Sequence, residues 1–358
     1  MATTERSRTA GRMSQPGFHG SVLAAFATLN NSQSDAPAPR KAHCCRWPGR
    51  AWPGWLLRRD KSGDMPHLSG MCTYLIRFDP DHEWPFLIAG NRDELRARPA
   101  LPPGRHWDDR ADVRAGKDVL AGGTWCGLND FGVAAAILNK KQALGPAPGK
   151  RSRGEVVLDA LDHADAIDGA RAIGALDGDA YRPFNLILAD NRDAFWIAHD
   201  GDATLQVRAI EPGVHLISHN DLDMGPRAQT HLARAMDAVP SGDFSDPAAW
   251  QGWIDLLSAR AGPDAAYWET ALNVDVPEMD FGTVSSALIA LPRAELALGR
   301  HDGVPVVADK GSGNGSVAAG EGSVVAQAEA ASDTAQTAPV FLYADGPGDR
   351  APYQPVPD

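Results

Sequence analysis

The stretch GMCTYLIRF, residues 70–78, decides how the rest of the chain is read. Thr73 to Phe78 alternates as a β-strand does, and it is preceded by a Met71-Cys72 pair that has the form of a gene start. A cysteine behind an initiator methionine becomes, once the methionine is removed, a residue with both a thiol and a free α-amine. Upstream, residues 1–70 differ in kind. They carry ten Lys/Arg against four Asp/Glu, a net of +6, whereas the remainder carries 24 against 42, a net of −18. The segment SDAPAPRKAHCCRWPGRAWPGWLLRRDKSGD, residues 34–64, has neither a period-2 nor a period-3.6 pattern. Residues 1–70 are therefore expected to form no packed domain, and three explanations stay open: a start codon placed too early, a targeting or pro-segment, or a disordered extension. SVLAAFATLN, residues 21–30, followed by DAPA at 35–38, gives a weak export signal, the alternative to a cytoplasmic protein.

From Met71 onward the chain reads as globular. The 358 residues are 43% hydrophobic, enough for a full core. An acidic body has no electrostatic footprint for phosphate backbones, which argues against a nucleic-acid partner. Four cysteines, two of them adjacent at Cys44 and Cys45, form no disulfide framework and fit a reducing compartment. No apolar run approaches the roughly 20 residues that a membrane helix needs.

PFLIAG (85–90), GVAAAILN (132–139), FNLILAD (184–190), AFWIAHD (194–200) and ATLQVRAI (203–210) read as strands. Asp190-Asn191-Arg192-Asp193 reads as a hairpin turn. Helical patterning runs over 154–176, 227–239 and 246–261, with a capping-box spacing at Ser152 and Glu155. Strands in antiparallel runs with helices in separate blocks predict an α+β fold with helices packed on sheets. Residues 308–339 are rich in Gly, Ser and Ala and are expected to be a flexible insertion; VFLYADGPG, from Val340, returns to strand patterning as the last strand before a C-terminal tail.

Several motifs fail. GPAPGKRS (145–152) has the wrong glycine spacing and Arg151 where a P-loop needs Ser or Thr; GSGNGS (311–316) breaks the dinucleotide pattern at Ser316. HLISHNDLD (215–223) is the one dense cluster of potential metal ligands, and strand-end polar clusters of that kind are common. No cofactor and no metal is therefore expected.

What remains is a series of short polar stretches: Met71-Cys72, Asn91-Arg92-Asp93-Glu94, Gly122-Gly123-Thr124-Trp125, and Ser152-Arg153-Gly154. In this order they resemble the NRDE family, also called transport and Golgi organisation protein 2, over about residues 71–356. In that family the chain starts at the Met-Cys pair. The family in turn is similar to N-terminal-nucleophile (Ntn) hydrolases of the choloylglycine and penicillin acylase type, which implies a four-layer αββα sandwich, a catalytic Cys72, and supporting roles for Arg92, Asp93, Asn139 and Asn220. Asn139 ends a stretch similar to one that supplies an oxyanion-hole asparagine, and Asn220 follows a strand where a second site asparagine is expected. Where relatives carry a Thr-Arg-Thr-Asn-like stretch, this chain offers Thr283, Ser285 and Ser286.

The chemistry can be stated without the family. A thiol titrates near 8.5 and an α-amine near 7.7–8.0, so an N-terminal cysteine carries its own base. Arg92 is expected to favour the thiolate and Asp93 to hold the amine. Each residue also has a plain structural reading: Cys72 as a small buried hydrophobe, Asn91-Leu95 as a capped turn at a strand end, Cys126 as core packing, and Asn139 and Asn220 as strand-end caps. Two functions follow: an Ntn amide hydrolase of unknown substrate, or a non-catalytic binding or trafficking protein for a hydrophobic ligand such as haem or an acyl-CoA. The sequence leaves the oligomeric state open.

Overall fold

The structure, a computed structural model, describes residues 72–141, 143, 146–260, 269–293 and 338–357. The leader and all but the end of the Gly/Ser/Ala-rich segment lie outside them. Two antiparallel sheets carry the fold. The first contains β1 (Thr73–Phe78), β2 (Phe86–Leu95), β10 (Gly213–Ile217), β11 (Asp275–Val276), β12 (Phe281–Leu291), β13 (Val340–Ala344) and β14 (Gln354–Pro355). Its order is β10-β1-β2-β12-β13-β14, with β11 on the end of β12. The second is a meander of seven strands: β3 (Ala100–Gly104), β4 (Val113–Asp118), β5 (Cys126–Asn129), β6 (Ala134–Asn139), β7 (Phe184–Ala189), β8 (Ala194–His199) and β9 (Gln206–Ala209).

Period-2 alternation divides β1 and β2 between two cores. Cys72, Tyr74, Ile76, Phe78, Phe86 and Ile88 pack with Cys126, Leu128, Ala134, Ala136, Leu138 and Ile187 of the other sheet. Leu75, Leu87 and Ala89 face the opposite way, against the helices α3 (Gly225–Asp237) and α4 (Gln251–Leu257). Helices α1 (Arg153–Leu161) and α2 (Ala166–Gly174) cover the far side of the second sheet. The layers are thus α, β, β, α, and every residue of β1 is buried because its strand is covered on both faces.

Aromatic residues lock the helix layer onto the first sheet. Trp250 and Trp253 are fully buried, and their indole N–H groups each donate a 3.0 Å bond, to the carbonyls of Phe244 and Ala235. Burial is available to these rings only because both polar atoms are satisfied. Glycine acts in the sheet itself: a Cβ on Gly90 would fall 2.0 Å from Tyr74 Cδ1, so the missing side chain is the seat of the Tyr74 ring.

Two local expectations change, and a third is met in part. Residues 154–176 form two helices instead of one, because the chain breaks at 162–165 and Asp190 Oδ2 accepts the Ala166 N–H that opens α2. Ser152 caps α1, but by accepting from Gly154 N–H and not from Glu155 N–H, and the Glu155 carboxylate pairs with Arg151, so the cap forms without the reciprocal box. Asn91 to Leu95 is not a turn but the second half of β2, paired along its length with β12 and with β1 at Asn91. The Asp190–Asp193 hairpin forms as read, with Asp190 Oδ1 accepting from the N–H groups of Arg192 and Asp193. Among the described residues no helix is long and apolar enough to cross a membrane.

Candidate active site

Cys72 stands one residue before β1, 8% exposed, where Thr73 begins the ladder by pairing with Asn91. Its Sγ caps the end of that ladder: it accepts from Asp93 N–H at 3.4 Å and lies 3.8 Å from the Asp93 carbonyl, to which the thiol donates. Burial, and after it the Asp93 charge, push the thiol up to about 12 against the pull of the Asp93 backbone hydrogen bond and of Arg92. Arg92 favours the thiolate as expected, but desolvation outweighs it and the net shift is upward.

Arg92 and Asp93 point to opposite faces of the sheet, as neighbours on a strand must. Arg92 lies on the inter-sheet side with Cys72, its guanidinium carbon 4.1 Å from the centroid of the Trp125 ring. That ring in turn fills the space left by Gly116, where a Cβ would fall 2.4 Å from Trp125 Cη2. Trp125 belongs to the Gly122–Trp125 stretch, whose neighbour is the Ser152–Gly154 stretch. Thr124 N–H donates to the Gly154 carbonyl at 3.2 Å, and a Cβ on Gly123 would strike the Gly154 carbonyl carbon at 2.4 Å. Backbone touches backbone here, which explains glycine at both positions. Arg153 donates to the carbonyls of Ala143 and Pro183 at 2.6 and 3.1 Å; burial and then Arg182 lower it to about 10. The Gly122–Trp125 stretch thus meets Arg92 through the Trp125 ring and the Ser152–Gly154 stretch through its backbone.

Asp93, 3% exposed, faces the helix side. Thr283 Oγ1 donates to its Oδ1 at 2.6 Å, while Oδ2 is buried without a hydrogen-bond partner among the described residues. Burial raises the carboxyl to about 7, against the pull of Arg227 and then Thr283. Arg227, fully buried in the first turn of α3, donates to Thr73 Oγ1 and lies in the field of both Asp93 and Cys72. The bulge at Thr283–Ser285 in β12 lets the strand serve both faces: Thr283 meets Asp93, while Ser285, paired with Arg92, bonds Tyr343.

An open cleft of about 360 Å³ adjoins this arrangement, lined by Arg92, Arg96, Arg98, Thr283, Ser285 and Tyr343 among others. Cys72 is not among its lining residues.

The two asparagines are placed differently. Asn139 is the last residue of β6, half-buried and paired with Phe184. Leu138 faces the inter-sheet core with Cys72, so alternation turns Asn139 away from it. Asn220 lies in the loop entering α3, its Nδ2 buried without a hydrogen-bond partner among the described residues, against the side of Gly225 that a Cβ would occupy. The loop is fastened by Asn185, whose Nδ2 donates to the carbonyls of Ser218 and Asn220 at 3.1 and 2.7 Å, and whose Oδ1 accepts from Trp196 Nε1. His219 between them is buried, neutral, and lowered to about 4 by burial and then by Arg227. The structure brings Cys72, Arg92 and Asp93 together, and brings neither Asn139 nor Asn220 into hydrogen-bond contact with them.

A family model described as Transport and Golgi organisation 2 matches residues 71–295. The chain belongs to that family. All four short motifs fall inside the matched span. Among solved structures, it is similar to a Caenorhabditis elegans orthologue of N-acylethanolamine-hydrolyzing acid amidase, at 13% identity over 61% of this chain and 92% of that one, with a TM-score of 0.41. It is also similar to penicillin V acylase from Agrobacterium tumefaciens (15% identity, 61% and 81% covered, TM-score 0.38). A third is a mutant conjugated bile acid hydrolase from Clostridium perfringens (12%, 62% and 86%, TM-score 0.34). No curated protein matches the chain in sequence.

Sequence reasoning missed Arg227 and Asn185 as parts of this region. Arg227 sits in an ordinary amphipathic helix pattern, 154 residues from the Thr73 it reaches, and no local signal marks it. Asn185 is the second residue of the apolar strand β7, and a polar residue in such a run was the available clue.

Proposed function

We propose that this chain, once Met71 is removed, is an N-terminal-nucleophile amide hydrolase with Cys72 as nucleophile. The observation that carries the reading is Asp93: a buried carboxyl whose Oδ2 has no hydrogen-bond partner among the described residues, at the strand end where the Cys72 backbone begins. A buried carboxylate oxygen left open is costly unless something occupies it, and an α-ammonium on residue 72 is a matching occupant.

In the reaction the Cys72 amine takes the thiol proton, and sulfur bonds to the amide carbon as the carbonyl electrons move to oxygen. The C–N bond then breaks and the α-ammonium returns its proton to the departing amine, leaving a thioester. Water, deprotonated by the same amine, adds to the thioester, and the carboxylic acid leaves as the thiol is restored. Arg92 flanks the thiol on the same sheet face, and Asp93 holds the amine end. Asn139 and Asn220 stay as proposed oxyanion donors that a substrate-bound rearrangement would have to recruit. No cofactor or metal enters these steps.

The burial of Cys72 favours a second reading, a binding protein for a hydrophobic ligand such as haem or an acyl-CoA, because the thiol does not line the cleft. Turnover of an N-acyl amide panel separates them. Protein beginning at Cys72 hydrolyses at least one amide, and Cys72→Ala and Cys72→Ser do not. Saturable haem or acyl-CoA binding that survives Cys72→Ala, with no amide cleaved by any form, supports the second.

A further inference from the structure

The cleft walls carry an unusual charge arrangement. Arg98 is gripped by Asp118, with Nε at 2.8 Å and Nη2 at 2.7 Å, and Arg96 by Asp275 at 2.6 Å and the Phe281 carbonyl at 2.9 Å. Neither Asp118 nor Asp275 lines the cleft, so both arginines are held from behind. Arg92 differs. It is 7% exposed, stacked on Trp125, and its nearest carboxylate among the described residues is Glu94 at 4.0 Å, beyond hydrogen-bond reach. Glu94 is itself shared with Arg98 at 3.7 Å. A rigid, nearly buried guanidinium with uncommitted donors, at the wall of a 360 Å³ cleft, is a built receptor for a planar or tetrahedral oxyanion. The hydrogen-bonded Ser285 and Tyr343 hydroxyls stand on the same wall. Asp345, also on it, repels an anion that approaches from its side and so narrows the position to the Arg92 end.

We infer that the cleft selects ligands bearing a carboxylate or phosphate, anchored by Arg92, so that the substrates are anionic amides. The inference rests on the hydrolase reading only for the word substrate; the anion site is independent of any turnover. The anion docks edge-on to the guanidinium while Trp125 fixes the plane from behind.

The test uses matched ligands on the Cys72→Ala chain, where nothing is consumed: N-benzoylglycine, its neutral glycinamide, and N-benzoylaminoethyl phosphate, each followed by equilibrium dialysis. A charge-assisted pair of this kind corresponds to tenfold or more, roughly, in affinity. The carboxylate, the phosphate or both are expected to bind at least about tenfold tighter than the glycinamide, and which one binds tells the two apart. The preference is expected to vanish in Arg92→Gln, to survive in part in Arg92→Lys, and to weaken with salt. Arg92→Met, which keeps apolar contact with Trp125, controls for packing and should also lose it. Equal binding of charged and neutral ligands, no binding of any, or a preference unchanged in Arg92→Gln overturns the inference. Turnover of neutral amides with no charge preference would retain the hydrolase and discard the anion site. Charge-selective binding without turnover would do the reverse.

Discussion

Thr283 Oγ1 donates a 2.6 Å hydrogen bond to Asp93 Oδ1 across the β2–β12 pair. The same hydroxyl accepts from Val274 N–H at 3.0 Å, so one side chain ties the buried carboxyl to the strand edge beside it. Thr283→Val keeps the shape and removes both bonds. It leaves a buried carboxyl and a buried N–H unserved, and a loss of about 2–4 kcal/mol is expected in denaturant unfolding. Thr283→Ser should recover most of it. A valine variant as stable as wild type would mean that Asp93 is not held this way.

Asp93 also predicts a pH dependence with a definite sign. Its folded value, about 7, lies above the ordinary 3.8. Between the two the folded state binds more protons than the unfolded, so stability falls as pH rises through that window. His219 acts oppositely: its folded value of about 4 lies below 6.5, so its contribution grows with pH between them. The difference between wild type and Asp93→Asn isolates the carboxyl. The Asp93→Asn variant should become progressively more stable relative to wild type from about pH 4 to about pH 7, by an amount of order a few kcal/mol. A difference flat in pH would show Asp93 titrating at its ordinary value.

Close backbone approach makes two glycines irreplaceable for different reasons. In Gly90→Ala the new methyl meets the Tyr74 ring at 2.0 Å and the Thr73 carbonyl at 2.7 Å, so β1 and β2 must part or the ring must leave the core. Gly123→Ala drives a methyl into the Gly154 backbone at 2.4 Å and separates the two motifs that support Trp125. Each should cost about 1–3 kcal/mol or more. Gly122→Ala is not crowded, with nothing within 4 Å, but its φ of +77° makes a smaller, conformational loss of about 1 kcal/mol. Ranking the three by thermal unfolding checks the account; Gly122→Ala as the worst would contradict it.

Asn185 makes a separable prediction, since it touches the Asn220 loop and not Cys72. Asn185→Leu removes both donors to the Ser218 and Asn220 carbonyls and the acceptor of Trp196 Nε1. A loss of about 2–5 kcal/mol is expected, with hydrogen exchange rising first in 218–224. Unchanged exchange there would show that the loop is held by other contacts.

Strands β1, β6, β7 and β8 and the first half of β2 were legible because they alternate or run apolar, whereas β12, the longest strand, was not read; the motifs were legible because glycine, tryptophan and arginine recur where backbones must touch. Other parts had no local trace. Asn91 to Leu95 reads as a polar turn, yet it stays in β2 because Asn91 donates to the carbonyls of Leu257 and Leu272 and accepts from Ser286, which satisfies a buried amide that local pattern would place in water. The break between α1 and α2 depends on Asp190, a residue of a distant hairpin. The facing of Asn139 follows from strand register, which a strand-end asparagine does not announce. Arg227 reaches Thr73 through tertiary packing of α3 alone.

The central claim is that Cys72 acts from a liberated terminus, and intact mass of the natively expressed protein tests it most directly, read before and after a brief exposure to a cleavable amide. The account predicts a species that begins at Cys72 and gains one acyl mass on that residue, absent in Cys72→Ala. A fully active protein that retains residues upstream of Cys72, or an acyl group carried elsewhere, would contradict it.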